Sequence, residues 1–188
     1  MRTAFFGGSF NPPHVAHQMV CLQVLQTADV DRVMWVPVGQ HPFAKDLAPF
    51  DDRFEMCRRA AAPFGAAALV SRVESELPTP SRTLATLRHL VARAPDQRLA
   101  LVIGTDLLPE RDKWYGWDVI ERLCDVIVVG RAGYPAPGVQ VELPALSSTD
   151  IRARLRSGED VSRMVPATVL AYIREHGLYG AGGAADGG

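Results

Sequence analysis

The chain lacks an excess of either charge: 20 Lys and Arg stand against 21 Asp and Glu, a formal net charge of -1. A general nucleic-acid binder carries a basic surplus, so that class is excluded as the default, and only local basic patches are left open. Long apolar runs are missing too; none approaches the roughly 18 residues a membrane span needs, and the apolar start of MRTAFFGGSF is too short for a signal segment. Cysteine is scarce. Cys21, Cys57 and Cys124 are odd in number and widely spaced, with neither CxxC nor zinc spacing. They read as small buried hydrophobes in a reducing, cytoplasmic setting. There is no GxGxxG, no GxxxxGK[ST] and no GxSxG, which disfavours dinucleotide-fingerprint, Walker and serine-hydrolase readings. No internal repeat is present.

What is there is a core. Of 188 residues, 47% are apolar and 22% charged, enough for one folded domain. Short β-branched or aromatic runs predict strands at Thr3–Phe6 (with Gly7-Gly8 as the stop), Val33–Val38, Ala66–Val73, Leu99–Ile103, Val126–Val129 and Val139–Leu143. Between them, helical spacing predicts Val15–Leu25, buried through Val15, Met19, Leu22 and Leu25, then Asp51–Ala62, a helix capped by Ser81 and running to Ala94, and Tyr115–Leu123. Two helices close the pattern, Thr149–Arg156 and Pro166–His176, with Gly177 as the stop. Strands alternating with helices predict an α/β, doubly wound, mostly parallel sheet with C-terminal helices. Residues 1–179 are read as one domain and the Gly/Ala-rich 180–188 as a tail without structure. Ligands of such sheets bind beyond the carboxyl ends of the strands, so residues just after strands are the candidates.

Two stretches stand out there. Gly7-Gly8-Ser9-Phe10-Asn11-Pro12-Pro13-His14-Val15-Ala16-His17 leaves the first strand and enters the first helix. Glycines allow close backbone approach, a helix N-terminus offers free N–H groups to an anion, and His14 and His17 share one helical face. The plain alternative is a tight turn with two incidental histidines. A metal reading of His-x-x-His is disfavoured because no third ligand is near, so no protein-held metal is expected. The second stretch, Leu146-Ser147-Ser148-Thr149-Asp150-Ile151-Arg152, puts hydroxyls at a helix start and an arginine that can lean back over a bound anion. Its plain alternative is an ordinary cap, with Ser147 and Asp150 as a capping box.

The first stretch resembles the G-x-[ST]-F-[DN]-P-x-H-x-x-H pattern of the nucleotidyltransferase superfamily that includes the class I aminoacyl-tRNA synthetases, with Ala16 where Gly is usual. The second resembles its ISSTxIR signature, with Leu146 for Ile. Ile103-Gly104-Thr105-Asp106 is similar to the IGxD turn, Trp114-Tyr115 to the element that holds a pyridine ring, and Ser81-Arg82-Thr83 stands where Ser-Tyr-Thr is frequent. Val128–Gly133 and Ala171–Tyr179 also match, so the resemblance spans Thr3 to Tyr179, most closely to the bacterial nicotinate-nucleotide adenylyltransferases.

The resemblance implies transfer of AMP from ATP to nicotinate mononucleotide, giving deamido-NAD and pyrophosphate, with Mg²⁺ carried on the ATP phosphates. It implies catalytic roles for His14, His17 and Arg152. It assigns ATP to Gly7, Gly8, Ser9, Phe10, Gly104, Asp106, Ser147, Ser148 and Thr149. It assigns the acceptor to Thr83, Trp114, Tyr115, His41 and Lys45; the family's His and Lys adjoin, whereas here three residues separate them. Arg82 either adds positive potential beside that pocket or faces solvent. His89, His176, Arg154 and Arg156 read as structural or solvated positions. The partners implied are small molecules, without nucleic acid or membrane; oligomeric state is not legible. Rival readings are the same fold with another acceptor (nicotinamide mononucleotide, pantetheine phosphate or a cytidylyl transfer) and a non-catalytic nucleotide-binding regulator.

Overall fold

A computed structural model describes residues 1–39, 47–78, 82–139 and 141–181. Its centre is a six-stranded sheet: β1 (Arg2–Gly8), β2 (Arg32–Pro37), β3 (Ala68–Val70), β4 (Arg98–Gly104), β5 (Asp125–Arg131) and β6 (Glu142–Leu143). All neighbours are parallel and the spatial order is β3-β2-β1-β4-β5-β6. This is the doubly wound arrangement, with its switch point between β1 and β4. The helices are α1 (Val15–Thr27), α2 (Phe50–Ala61), α3 (Val73–Glu76), α4 (Thr83–Arg93), α5 (Trp117–Leu123), α6 (Ser148–Ser157) and α7 (Ala167–Glu175).

Each strand sends alternate side chains to opposite faces, and the two cores follow that period. Ala4, Phe6, Val33, Trp35, Val102 and Val129 face α1, α2, α6 and α7. Phe5, Met34, Val36, Leu99, Leu101 and Ile103 face α4 and α5 through Leu84, Leu87 and Ile120. Both faces of a parallel sheet are thereby covered.

Several expectations shift. Gly7 and Gly8 do not stop β1; they continue it, paired with Val36 and Pro37. The third strand is only Ala68–Val70, because Pro63 and Gly65 (φ 55°) hold Ala62–Ala67 as a 3₁₀ turn and Val73–Glu76 is helical. Helix α1 buries Ala16, Cys21 and Val24, while Met19 and Leu22 are exposed. Apolar residues lie almost all round that helix, so their period does not select a face. The cap of α4 is Arg82, without a side-chain cap bond, and Ser81 lies outside the described residues. Helix α5 starts at Trp117 after Gly116 (φ 70°), so Trp114 precedes it. The sixth strand is confined to Glu142–Leu143. At the C-terminus Leu178–Gly180 forms a 3₁₀ turn and Ala181 packs against the first core, two residues past the expected boundary. The three cysteines are free and buried. No helix among the described residues is long and apolar enough to cross a membrane.

Candidate active site

A cleft of about 340 Å³ opens at the carboxyl ends of β1, β4 and β5. Its floor is the segment after β1. A Cβ at Gly8 would stand 3.1 Å from the Phe10 ring, so glycine there lets Phe10 fold back. Phe10 holds φ 45°, a left-handed conformation uncommon outside glycine. Packing holds it in place: its buried ring lies 5.3 Å from Trp35 and 4.9 Å from His17. Gly7, Ser9 and Phe10 line the cleft; Gly8 does not, its carbonyl accepting the Val38 N–H at 2.9 Å.

His14 caps α1 and His17 is its third residue. The rings stack at 3.8 Å, and the His14 backbone N–H donates to His17 Nδ1 at 3.0 Å. An accepting Nδ1 leaves the His17 proton on Nε2. Both histidines are neutral at pH 7. Burial, then the Arg131 charge, takes His14 down to about 4, and burial, His14 and Arg131 hold His17 well below the usual range. His14 Nδ1 is buried and has no hydrogen-bond partner among the described residues.

Helix α6 meets this floor from the far side of the cleft. Ser147 caps it by accepting the Thr149 N–H at 3.2 Å. Ser148 Oγ donates to the Pro12 carbonyl at 2.9 Å. Arg152 Nη1 donates to the Asn11 carbonyl at 2.8 Å and Nη2 to Thr149 Oγ1 at 3.4 Å. The arginine thus reaches back over its own helix start, as side chains on helices do. Arg154 points elsewhere and pairs with Glu159 at 2.9 Å.

The third wall is the turn after β4. A Cβ at Gly104 would lie 2.3 Å from Asp106 Oδ1, so only glycine lets that carboxylate fold back. Asp106 Oδ2 then pairs with Arg131 at 2.7 Å, and Arg131 Nη2 also donates to the Leu146 carbonyl at 3.3 Å. Asp106 is the cleft's one acidic lining residue among those described. Among the described residues no group of three or more His, Cys, Asp or Glu could hold a metal ion.

Thr83, Trp114 and Tyr115 do not line the cleft. The start of α4 meets the chain before α5: a Cβ on Gly116 would touch Leu84. Trp114 and Trp117 pack edge to face at 5.6 Å, and the Arg82 guanidinium lies over the exposed Tyr115 ring at 4.5 Å. His41 and Lys45 lie outside the described residues. His176 stacks on the buried Tyr172 at 3.9 Å at the end of α7 and does not line the cleft.

The cytidylyltransferase-like family model matches residues 5–154. A probable nicotinate-nucleotide adenylyltransferase of Anaeromyxobacter dehalogenans is 52% identical over 179 residues, covering 94% of this chain and 95% of that one. Its counterpart in Myxococcus xanthus is 46% identical over 181 residues, covering 96% of this chain and 95% of its own. The chain belongs to the nicotinate-nucleotide adenylyltransferase family. The fold agrees: a Plasmodium falciparum nicotinic acid mononucleotide adenylyltransferase, solved with NaAD, superposes with a TM-score of 0.81 over 95% of this chain and 97% of that one, at 19% identity.

Within a nicotinate-nucleotide adenylyltransferase frame, three further residues support the floor of the cleft. Arg131 is the second cation of the cleft, and as part of a strand ending it gave no sequence signal of its pairing. Asn11 Oδ1 accepts from the Ala48 N–H at 3.0 Å and the Tyr179 hydroxyl at 2.8 Å, tying the C-terminal turn to the floor. Arg53 is buried, and burial lowers its pKa. It donates to the carbonyls of Ala48 (2.9 Å), Ser9 (3.0 Å) and Gly39 (3.2 Å). The signal for Arg53 was present: it shares the α2 face of Met56, Cys57 and Ala60, an arginine on an otherwise apolar stripe.

Proposed function

We propose that the chain transfers AMP from ATP to nicotinate mononucleotide. An oxygen of the mononucleotide phosphate attacks the α-phosphorus of ATP, the bond to the β-phosphate bridging oxygen breaks, and pyrophosphate leaves. The dinucleotide product is nicotinate adenine dinucleotide. The attacking oxygen is already anionic near neutral pH, so no strong base is required, and catalysis is positioning plus stabilisation of charge.

One observation carries this reading: two neutral, stacked imidazoles and Arg152 converge on the floor of one cleft at the sheet's switch point. The Nε2–H of His17 is a neutral donor, and the partnerless His14 Nδ1 is a buried polar atom that a ligand would satisfy. Such pre-oriented donors stabilise charge as it develops, without reorganisation. Arg152, with Ser148 and Thr149, takes the phosphates. Asp106 on its glycine hinge faces the ribose, and Trp114, Tyr115 and Thr83 take the pyridine side. The cleft's only described carboxylate is engaged by Arg131, which leaves no acidic cage for a divalent ion. An Mg²⁺ carried on the ATP phosphates would supply charge neutralisation beside Arg152, Ser148 and Thr149. All of this belongs to one domain, placed in the cytoplasm in keeping with three free thiols.

Pyrophosphate release from ATP with a panel of acceptors tests the assignment. Nicotinate mononucleotide should be the best acceptor. A clear preference for pantetheine phosphate, or for CTP as donor, would redirect it, and no pyrophosphate release with any acceptor of the panel would point to a non-catalytic binder.

A further inference from the structure

Arg82 is the feature outside the cleft that the family resemblance leaves without a role. It is exposed, and no described carboxylate pairs with it. The carboxylates of the opposing segment have partners of their own: Glu110 with Lys113 at 3.6 Å, Asp112 with Arg111 at 3.7 Å, Asp118 with Arg122 at 2.8 Å. The Arg82 guanidinium instead lies over the Tyr115 ring, 4.5 Å from its centroid. That contact is a weak attraction at an exposed site, so it orients the cation without neutralising it.

The backbone adds to this field. Arg82 is the N-cap of α4, an eleven-residue helix, and its side chain makes no cap bond to the first N–H groups. That helix start and a guanidinium with no described carboxylate partner create positive potential where α4 meets the Trp114–Gly116 turn. The same place offers the aromatic surface of Trp114 and Tyr115. An aromatic surface beside a cation with no described carboxylate partner suits an aromatic ring bearing an anion better than one bearing a neutral amide.

We propose that Arg82, held over Tyr115, is a specificity-determining residue that favours the carboxylate of nicotinate mononucleotide over the amide of nicotinamide mononucleotide. The inference rests on the adenylyl-transfer reading. Arg82 acts on the acceptor's charge and does not touch the reacting phosphates. Tyr115 is the positioning residue, fixing the guanidinium by its ring face.

The test is kcat/KM for both mononucleotides, at saturating ATP, for the full chain and for Arg82→Gln, Arg82→Lys and Tyr115→Ala. The acid-over-amide ratio should fall about tenfold in Arg82→Gln, carried by KM for the acid. Arg82→Lys should keep part of it, since the charge remains without the planar guanidinium. Tyr115→Ala should fall between wild type and Arg82→Gln. Raising salt should lower the wild-type ratio and leave that of Arg82→Gln flat. A merely structural role would depress both acceptors alike, and an unchanged or equally lowered pair of rates overturns the proposal while adenylyl transfer stands. No pyrophosphate from wild type with either mononucleotide overturns the transfer reading and this inference with it.

Discussion

His17 Nδ1 accepts the backbone N–H of His14 at 3.0 Å, with the two rings stacked at 3.8 Å. One bond does two things. It closes the first turn of α1 with a side chain, and it fixes the proton of His17 on the nitrogen free to meet a ligand. Burial keeps the pair uncharged, so the cleft's formal positive charge comes from Arg131 and Arg152 rather than from imidazolium.

Stability should therefore depend on pH between 6.5 and about 4, the interval between the ordinary histidine value and that of His14. In that window the unfolded chain binds protons that the folded chain refuses. Acidification then favours unfolding, by up to about 1.4 kcal/mol per pH unit per group. Above pH 6.5 the effect is absent. Denaturant midpoints at pH 7, 6 and 5 should fall progressively, and His14→Gln should flatten the slope. A midpoint constant over that range would mean that the pair protonates without penalty.

Arg152→Ala should lower kcat/KM for ATP about a hundredfold, roughly 2.7 kcal/mol, because its guanidinium joins α6 to the Asn11 carbonyl across the cleft. Arg154→Ala removes a half-exposed pair with Glu159 and should change stability by less than about 1 kcal/mol and activity not at all. Steady-state kinetics of the two variants decide the point; equal losses would sink the role of Arg152.

Gly104→Ala tests the ribose side. The φ of -79° tolerates alanine, so the only objection is the 2.3 Å approach to Asp106 Oδ1. The carboxylate must swing away and release Arg131. The expected result is a KM for ATP raised about tenfold, matched by Asp106→Asn, with a stability change under about 1 kcal/mol. Wild-type KM in both variants would remove Asp106 from the ATP site.

The C-terminal turn bears on catalysis through Asn11. Tyr179→Phe removes the hydroxyl that donates to Asn11 Oδ1 and should cost about 0.5–1.5 kcal/mol of stability, with a fall in kcat as the floor loosens. Deleting residues 182–188, which include no side chain larger than Asp, should change neither. Thermal melts of both variants check this; a destabilised deletion would show that those residues dock.

Much of this was legible in the sequence, for a physical reason. Near-continuous apolar runs in β1, β2 and β4 encode a sheet covered on both faces, and the Gly7–His17 and Ser147–Arg152 stretches are local in sequence. What hides is of two kinds. Some features are long-range: Asp106 and Arg131 pair across 25 residues, and Asn11 and Tyr179 across 168, distances no spacing rule reaches. Others carried a signal that was outweighed. Gly116 before Trp117 marks the start of α5 and separates the two tryptophans, and Pro63 with Gly65 curtails the third strand. The exposed Met19 and Leu22 show the limit of periodicity in a helix apolar on nearly every side.

The most direct measurement follows the label of ATP carried on its α-phosphate, with nicotinate mononucleotide as acceptor, in wild type and in His17→Ala. Label should appear in the dinucleotide in step with released pyrophosphate. In His17→Ala the turnover should fall about a hundred- to a thousandfold, with KM for ATP nearly unchanged, the loss of one pre-oriented donor worth about 2.7–4 kcal/mol. Label that never enters a dinucleotide, or a His17→Ala enzyme as fast as wild type, would contradict adenylyl transfer at this cleft.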